Sequence, residues 1–525
     1  MFRKWFACFL TATSAFGTSW MVPDEISTIQ AALDTASSGD SILVEPGLYS
    51  ESLLAPDSLF FVMIGLFDTV KEHDEWPIID PSLLDSSNRL TCLTLPTESS
   101  AVIRNIAFAN RWPMYPRAGN AQSGGIFNHS VSLEIRSCRF DSTYRGVYAT
   151  NNSGSLTVAD CEFRHNVAMC IRESPSATTL IMNTEFSGSE ATLLSLSGHA
   201  MVDNCSFVSD GNDYIHLSGD AVIVQNCSFN PSTAPVYNAL RGEQASGCEI
   251  GNNAFHDLVL TGSAIWFQGL SGQATRIHDN LFQENHAMSP AWTAGVYVTG
   301  ATATLEISAN RFEGCVGYSA NASRAIWVEN TPALVTGNAF VGIDSIVPCI
   351  RVHDDAHTAR CFNQDFAGTG WAVRKTGYSL LDADSCWWGD STGPYHTLLN
   401  PQGLGATVTG NVDFVPWLLA PPDSDSTDTA PEPLAPLPTT TQLAVYPNPL
   451  NSTATITLAV TEPGVYDVEL FNTLGQRALH VWSGSIIHEK QLSLDARALP
   501  SGVYFMRAGA RGHDHTVLSK TVLLK

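Results

Sequence analysis

A short phrase, in which an aliphatic residue precedes a Phe by five positions, recurs through residues 103–366. Successive Phe residues of the phrase are 21 to 32 positions apart. A period of about 20–50 residues is typical of repeat architectures, in which each unit packs on the next one. The repeat therefore restricts the body of the chain to a stack of similar units. The ten clear pairs, followed by the weaker pair Cys361/Phe366, are Ile103/Phe108, Ile135/Phe140, Val158/Phe163, Ile181/Phe186, Val202/Phe207, Val224/Phe229, Ile250/Phe255, Ile277/Phe282, Ile307/Phe312 and Val335/Phe340.

Each copy of the phrase lies in a short β-type run. The run at residues 156–163 (LTVADCEF) contains β-branched residues, and Asn, Ser and Gly precede it. Runs of this length and composition, bounded by such residues, predict β-strands. No helical period is present between copies, and identical phrases superpose only when they lie in the same direction. The repeat therefore predicts a β-solenoid, stabilised mainly by contacts between neighbouring coils.

A small polar residue occupies the position two residues before each Phe. In coils stacked about 4.8 Å apart these residues would lie directly above one another, and stacked Asn amides hydrogen-bond to each other. Each of these polar residues lies an odd number of positions after the aliphatic residue of its phrase. In a straight strand the two residues would therefore point to opposite faces, so we expect a bend and a buried corner between them. The residues are Cys138, Cys161, Thr184, Cys205, Cys227, Asn253, Asn280, Asn310 and Asn338.

An amphipathic segment precedes the repeat. Ile29, Ala32, Leu33 and Ala36 follow helical spacing, and residues 41–44 (SILV) are interpreted as the first strand. The open end of a solenoid exposes unpaired backbone groups that must be covered. We therefore expect this helix to cap the first coil.

Both ends of this body contain segments that resemble known proteins. Residues 29–51 (IQAALDTASSGDSILVEPGLYSE) resemble the opening of right-handed parallel β-helix proteins of the pectin-lyase-like superfamily. Residues 386–394 (CWWGDSTGP) and 411–417 (NVDFVPW) resemble the last coils of many bacterial members. The resemblance spans residues 20–418 and implies an all-β, right-handed parallel β-helix. It implies no particular activity, because this fold carries lyases, hydrolases, esterases and inert surface proteins.

Composition changes along the chain indicate its other parts. Residues 1–19 contain two basic residues followed by an apolar stretch, which predicts a secretory signal peptide. Residues 419–442 are rich in Pro, Thr, Ser and Asp, which predicts an extended linker between a β-helix at 20–418 and a second domain at 443–525. No run after the predicted leader approaches the ~18 apolar residues of a membrane span.

Four motifs follow the linker: YPNP at 446–449, LFNTLGQ at 470–476, LPSGVYF at 499–505 and KTVLLK at 520–525. Their order closely resembles the type A C-terminal sorting domain of the type IX secretion system, and their alternation predicts a small Ig-like β-sandwich. The resemblance implies contact of residues 443–525 with the secretion machinery, export across a bacterial outer membrane, and release or attachment at the cell surface. The motif residues are Tyr446, Pro447, Asn448, Pro449, Gly475, Gly502 and Tyr504.

Twelve cysteines in an exported chain would normally indicate disulfides. Four of them lie in the row of small polar residues and follow the spacing of the coils. This position favours free, buried thiols that act as small packing groups. The sequence also permits a bridge between Cys361 and Cys386.

The formal net charge of −24 restricts the partners of the chain. A body this acidic repels polyanions, which argues against nucleic acid and against an anionic membrane surface. We expect an acidic polysaccharide to be held poorly unless Ca²⁺ bridges carboxylates on both partners. A neutral extracellular polysaccharide meets no such penalty.

The densest ionisable cluster carries the candidate catalytic residues His353, Asp354, Asp355 and His357. Paired carboxylates can bind Ca²⁺ or act as general acid and base. The alternative is a solvated loop, and the adjacent Asp354 and Asp355 would point to opposite faces of a strand. The motif set of polygalacturonases and the glycine-rich calcium repeat are both missing, so no catalytic residue is assigned.

Aromatic residues supply candidate glycan contacts. Exposed aromatic faces bind sugar rings through apolar contact, and Trp112, Tyr115 and Trp292 are the candidates. Trp266 and Trp327 lie in apolar strands. For them, packing in the core or on a lateral face is an equal alternative to contact with a glycan.

Three functional hypotheses follow. The first is a secreted or surface-anchored β-helix that binds extracellular glycan without catalysis. The second is a polysaccharide lyase or glycoside hydrolase, and the third is a structural surface spacer. The missing catalytic motifs favour the first hypothesis over the second.

Overall fold

The structure is a computed structural model that describes residues 17–66, 76–84, 91–110, 124–149, 154–173, 178–188, 192–208, 212–288, 293–317, 325–343, 347–354, 359–422, 441–460, 464–472, 476–486, 489–497, 499–510 and 516–524. These residues divide into two compact units, one up to Pro422 and one after it. Each unit has its own hydrophobic core.

The first unit is a stack of coils, and each regular coil contributes one short strand to each of three parallel sheets. Sheet 1 has 16 strands within the described residues. They are Ser19–Val22, Asp40–Val44, Phe60–Gly65, Ser100–Arg104, Ser132–Arg136, Ser155–Ala159, Thr178–Met182, His199–Asp203, Ile223–Gln225, Glu249–Gly251, Thr275–His278, Leu305–Ser308, Ala333–Thr336, Arg360–Phe362, Leu381–Asp382 and Val412–Asp413.

Sheet 2 follows sheet 1 in each coil and has 12 described strands. They are Gly47–Tyr49, Pro77–Ile79, Ala107–Ala109, Arg139–Asp141, Glu162–Arg164, Glu185–Ser187, Ser206–Val208, Ser228–Phe229, Ala254–His256, Leu281–Gln283, Arg311–Glu313 and Ala339–Val341. A short 3₁₀ helix, Pro81–Leu83, follows one of them.

Sheet 3 completes the coil and has 15 described strands. They are Leu53–Leu54, Thr91–Leu95, Gly124–Asn128, Arg145–Ala149, Met169–Arg172, Leu194–Leu196, Ile215–Leu217, Leu240–Glu243, Ile265–Gln268, Val296–Thr299, Ile326–Glu329, Ile350–His353, Trp371–Thr376, Gly405–Thr409 and Pro394–Tyr395. Two further short strands, Val259–Leu260 and His286–Ala287, pair with each other in a separate two-stranded sheet.

The recurring Phe residues form one internal column along sheet 2, as the repeat predicts. Neighbouring rings from Phe108 to Phe366 are stacked with centroids 4.5–5.3 Å apart. Trp388 stacks on Phe366 at 5.0 Å, so the terminal aromatic motif ends the column. The spacing equals the distance between strands in a sheet, so an in-register stack brings equivalent rings into contact without distortion.

The row of small polar residues forms the buried corner between sheets 1 and 2. The Asn280 side-chain amide donates to Asn310 Oδ1 at 2.9 Å and to the carbonyl of Ile250 at 2.8 Å. The thiol of Cys227 approaches the carbonyl of Val202 in the same way at 3.7 Å. Cysteine and asparagine therefore reach the equivalent backbone carbonyl in their coils, and all eleven described cysteines are buried thiols that form no disulfide.

The solenoid begins one strand earlier than the sequence indicates. Ser19–Val22 pairs in parallel with Asp40–Val44, so the interpretation of residues 41–44 as the first strand is wrong. The carboxylate of Asp40 accepts hydrogen bonds from the backbone of Thr18 at 2.6 Å and from the Trp20 indole at 3.2 Å. These contacts hold the preceding segment in register.

The expected helix is present as Ile29–Thr35. Ile29, Ala32 and Leu33 are buried on its inner face, and the Glu51 carboxylate accepts from the backbone nitrogen of Ile29 at 3.0 Å. An anionic acceptor at a helix N-terminus satisfies donors that have no partner within the helix. The helix therefore closes the apolar end of the stack.

The second unit contains two small antiparallel sheets around a shared core. Its strands are Gln442–Tyr446, Thr453–Ala459 and Glu489–Asp495 in one sheet, and Arg477–Ile486, Gly464–Asn472, Gly502–Ala510 and Thr516–Leu523 in the other. This arrangement matches the small β-sandwich that the sequence predicts.

Candidate functional site

Sheet 3 presents one continuous row of aromatic, arginine and small polar side chains, which we call the outer row. The residues on either side of each member point into the core: Ile265 and Phe267 belong to the core cluster, whereas Trp266 between them does not. Side chains alternate between the two faces of a strand, so the row lies on the outer face. Its members, in register, are Phe127, Tyr148, Arg172, Ser195, His216, Arg241, Trp266, Tyr297, Trp327, Arg351 and Arg374.

A second outward row lies two residues further along the same strands. It consists of hydrogen-bonding side chains that are partly or largely exposed. Its members, in register, are Glu243, Gln268, Thr299, Glu329, His353 and Thr376. The two rows together make a polar face with aromatic rings along one side.

Trp327 lies between a phenol and a guanidinium. Its ring stacks on Tyr297 at 4.8 Å, and the guanidinium of Arg351 lies 4.1 Å from its centroid on the next coil. Because both faces of the indole are occupied, only 8% of Trp327 is exposed. The ring therefore acts as a support that orients Arg351 through a cation–π contact, and it does not offer a free face to a sugar.

Arg351 and Arg374 are adjacent in register on neighbouring strands. Burial lowers the pKa of the Arg351 guanidinium from its ordinary value, and the like charge of Arg374 lowers it further. The charge of the Glu329 carboxylate acts in the opposite direction. This part of the face therefore carries cationic and anionic groups on neighbouring strands.

Glu329 connects the two outward rows. The Tyr297 hydroxyl donates to Glu329 Oε2 at 2.7 Å, and the Thr299 hydroxyl donates to the same oxygen at 3.3 Å. Burial, together with this hydrogen bond to a carboxylate, raises the pKa of Tyr297. The phenol is therefore a stable donor at neutral pH.

Arg241 shows the same combination of ring and charge at the other end of this region. Its guanidinium lies 5.3 Å from the Trp266 ring centroid and 3.5 Å from Asp213 Oδ2, and it also pairs with Glu243. Burial raises the pKa of Asp213, although its partners oppose the change. Arg241 therefore lies beside two carboxylates, whereas Arg351 is influenced by both Arg374 and Glu329.

The structure separates two of the residues that the sequence groups as catalytic candidates. His353 lies in the second outward row, with Nδ1 3.0 Å from Thr376 Oγ1. Asp354 is fully buried, and its backbone carbonyl accepts from Lys375 Nζ and from the Ser379 hydroxyl, both at 2.7 Å. The two side chains do not meet on one surface. The other candidates, Asp355, His357, Trp112, Tyr115 and Trp292, lie outside the described residues.

Sequence reasoning missed the outer row because its members differ in residue type. A signal is nevertheless present in the strands of sheet 3. A small residue, an aliphatic residue, the outward residue and a second apolar residue follow one another at 264–267 (AIWF), 295–298 (GVYV), 325–328 (AIWV) and 349–352 (CIRV). Aligning these segments would have placed Trp266, Tyr297, Trp327 and Arg351 in one row.

Within the described residues, no group of three or more His, Cys, Asp or Glu side chains is arranged to hold a metal ion. A Ca²⁺ requirement stays a prediction that the chelator arm of the experiment below tests.

The motif residues of the second unit secure its last strand. Asn448 Nδ2 donates to the carbonyl of Lys520 at 2.6 Å, and Asn448 Oδ1 accepts from the backbone of Val522 at 2.9 Å. The hydroxyl of Tyr504, which is buried, donates to the carbonyl of Pro500 at 2.8 Å. Tyr446 is 80% exposed and is therefore available to a partner.

The remaining motif residues have simpler positions. Pro447 and Pro449 flank Asn448 in the turn after Gln442–Tyr446, and Gly502 begins the strand Gly502–Ala510. Gly475 lies outside the described residues.

The fold and these motifs define an exported β-solenoid. Residues 170–340 match the family model described as a right handed beta helix region. Residues 444–523 match the model of the secretion system C-terminal sorting domain. The chain is a right-handed β-helix protein that carries a type IX secretion sorting domain.

The chain was also compared with solved structures. An alginate lyase from Paenibacillus sp. str. FPU-7 aligns over 60% of this chain and 94% of its own, with 12% identity and a TM-score of 0.27. A structure described as XylC in complex with xylose aligns over 91% of this chain and 100% of its own, with 8% identity and a TM-score of 0.32. Scores this low do not bear on substrate or activity. No curated protein matches the sequence.

The sorting domain assigns the chain to export, so the protein is secreted or displayed at the cell surface and contacts the secretion machinery. In the part of the chain that the structure describes, no helix combines the length and apolar composition needed to cross a bilayer.

Proposed function

We propose that the β-helix binds extracellular glycan, without turning it over, along the outer face of sheet 3. The observation that carries this proposal is the run from Trp266 to Arg374, where ring-supported arginines lie beside a second row of hydroxyl, amide and carboxylate groups. Sugars are recognised by such groups, because each hydroxyl both donates and accepts hydrogen bonds.

The geometry of this face suits a long ligand. Neighbouring strands of a sheet lie ~4.8 Å apart, which is about the length of one sugar unit. Equivalent side chains therefore repeat once per sugar along the axis of the solenoid. A linear polysaccharide lying along the axis would meet the same kind of contact on successive coils.

Turnover is the second candidate, and one observation favours it. The Tyr297 phenol, the Glu329 carboxylate and Arg351 lie on three consecutive strands of one polar face. General acid–base catalysis needs a side chain that gives or takes a proton at the reacting group, and a phenol or a carboxylate can do this. His353 and Asp354, the candidates from the sequence, belong to the coil that also contains Arg351. The burial of Asp354 favours a structural role for it.

The two functions are separated by measuring binding and product release on one panel of neutral and acidic glycans, with and without a chelator. Binding without released oligosaccharide supports the proposal. Release that Tyr297→Phe or Glu329→Gln abolishes would establish the enzyme instead. Release that only His353→Ala abolishes would place the chemistry in the sequence-predicted cluster, and loss of release with chelator would establish the Ca²⁺ requirement. Absence of binding to every glycan would favour the structural spacer.

A further inference from the structure

The last coil of the β-helix forms an end surface of the stack. Among the described strands, Pro394–Tyr395 is the terminal one of sheet 3 and Val412–Asp413 is the terminal one of sheet 1. The segment after Val412–Asp413 lies beyond the preceding coil, since the Leu418 backbone N–H donates to the carbonyl of Cys386 at 2.9 Å. Residues 394–419 therefore make up the final layer of the solenoid.

Large apolar side chains are concentrated on this layer. Leu398 and Leu404, for example, are 84% and 76% exposed. A single exposed leucine needs no explanation, but a contiguous exposed apolar patch marks a site of interaction. The exposed large apolar residues of the layer are Tyr395, Leu398, Leu399, Leu404, Val415 and Leu419.

Hydrogen bonds bring together the two segments that carry these side chains. The Leu404 backbone N–H donates to Thr392 Oγ1 at 2.8 Å. The Trp417 indole donates to the carbonyl of Ser391 at 3.1 Å. Because Ser391 and Thr392 are adjacent, the two segments meet at one turn. We call the surface made by the six exposed side chains the end patch.

The end patch is almost free of charge in a strongly acidic chain. Asp413 is the one residue with a formal charge among residues 394–419, whereas 15% of the whole chain is charged and its net charge is −24. A charged partner surface would lose hydration here without gaining a counter-charge. A second copy of the same patch has no such cost, and the centre of a protein interface is typically depleted in charge.

The opposite end of the stack does not suit the end patch. It is covered by the helix Ile29–Thr35, whose apolar residues are buried, and Asp24, Glu25 and Asp34 are exposed there. Contact between opposite ends would therefore press carboxylates against leucines and desolvate them. Contact between two identical ends avoids this, and a two-fold contact closes after two copies instead of growing into a fibre.

We propose that two copies of this chain associate end to end through the end patch, about a two-fold axis. The proposal is independent of glycan binding, because it uses the last layer of the solenoid and not the outer face of sheet 3.

The test is the mass of the full chain in solution, measured by sedimentation at micromolar concentrations. We expect a dimer in equilibrium with the monomer. Leu398→Glu and Leu404→Glu each place two carboxylates in a two-fold contact, so each should weaken the dimer at least about tenfold. Leu48→Glu, at an exposed leucine of sheet 2, is the matched control and should change the dimer affinity less than about twofold.

A nitroxide label attached at Thr397→Cys, beside the end patch, tests the orientation. Sheet 1 has 16 described strands, so at ~4.8 Å per step a contact between opposite ends would separate two labels by about 70 Å. We expect a distance well below this length. A separation of the full solenoid length, or species that grow beyond the dimer with concentration, would overturn the two-fold arrangement.

The remaining outcomes assign the end patch to another occupant. A monomer at every concentration would overturn the proposal. Binding of that monomer to phosphatidylcholine vesicles, lost in Leu398→Glu, would assign the patch to a membrane surface. A dimer that both end-patch variants leave intact would place the interface elsewhere. Thermal unfolding at the temperature of the wild type confirms that each variant keeps the fold, as expected for exposed positions.

Discussion

The guanidinium of Arg351 lies 4.1 Å from the centroid of the Trp327 ring, one coil away on the outer face of sheet 3. The other face of this indole is occupied by Tyr297. A planar guanidinium can stack with its face on a ring and donate hydrogen bonds from its edges. The indole therefore fixes the direction in which the charge is presented.

This relationship predicts that charge alone does not suffice at position 351. Arg351→Lys keeps the positive charge but loses the planar stack and the bidentate donors. We expect glycan affinity to fall about threefold to tenfold, which corresponds to roughly 1 kcal/mol. The measurement is a binding titration with the glycan that the wild-type protein binds best.

The control for that variant is Arg276→Lys, at an exposed position of sheet 1 where Arg276 pairs with Glu306 at 3.6 Å. Its affinity should equal that of the wild type. Full affinity of Arg351→Lys would show that the stack on Trp327 does not matter for binding.

The amide ladder predicts a stability effect at Asn280, which is buried and hydrogen-bonds to Asn253 and Asn310 in the coils on either side. Asn280→Leu removes the acceptor of the Asn253 backbone N–H, takes one partner from each neighbouring amide and removes the side-chain donor to the carbonyl of Ile250. We expect the free energy of unfolding to fall by roughly 1–3 kcal/mol. Denaturant unfolding of the variant measures this loss.

The control is Gln273→Leu, which replaces an exposed amide near Asn280 in the sequence. It should change the free energy of unfolding by less than about 0.5 kcal/mol. Equal effects of the two substitutions would show that the ladder contributes nothing specific.

Glu173 predicts a pH dependence of stability. Both carboxyl oxygens are buried, close to Thr179 and to the backbone of Ser197 and Gly198. Burial raises the pKa of Glu173 to about 8. A carboxyl whose pKa is raised on folding binds more protons in the folded state, so stability falls as pH rises from about 4.5 to about 8.

Glu173→Gln removes this charge and should therefore stabilise the protein, by about 2–5 kcal/mol at pH 9 and by less than about 1 kcal/mol at pH 5. Thermal unfolding across this pH range measures the difference. Glu185→Gln, at an exposed position of sheet 2, is the control and should show no such trend. A constant difference at all pH values would mean that Glu173 does not titrate on unfolding.

The sorting domain predicts a separation of folding from export. Because each unit has its own core, a variant that ends at Pro422 retains the whole core of the β-helix. Its β-helix should unfold at the same temperature as in the full-length protein, but the variant should accumulate inside the cell envelope. Surface labelling and fractionation of the producing cells check this, and normal surface display of the truncated variant would refute the sorting assignment.

The sequence predicted the interior of the solenoid better than its surface. The column from Phe108 to Phe366 was predictable because a stacked core position needs the same shape in each coil. The Asn ladder was predictable for the same reason, since an amide pairs best with another amide. The strand before Asp40 was not, because Ser19–Val22 carries no Phe and lies next to the predicted leader.

The outer row could not be predicted from a repeated residue type. Positions on a solvent-facing row need not repeat, so Ser195, Arg241 and Trp266 succeed one another without a common residue type. Loops of different length between the strands also conceal the spacing. The densest charged cluster of the sequence was a poorer guide, because adjacent residues such as His353 and Asp354 point to opposite sides of the sheet.

The most direct test of glycan binding on sheet 3 compares two triple variants on a glycan panel. One carries Tyr297→Phe, Arg351→Gln and Arg374→Gln on the outer row. The other carries Arg104→Gln, Glu134→Gln and Arg276→Gln on the outer face of sheet 1. We predict that the first loses at least about tenfold in affinity, or about 1.4 kcal/mol, while the second binds as the wild type does. Equal binding by both variants would contradict the assignment of the glycan site to sheet 3.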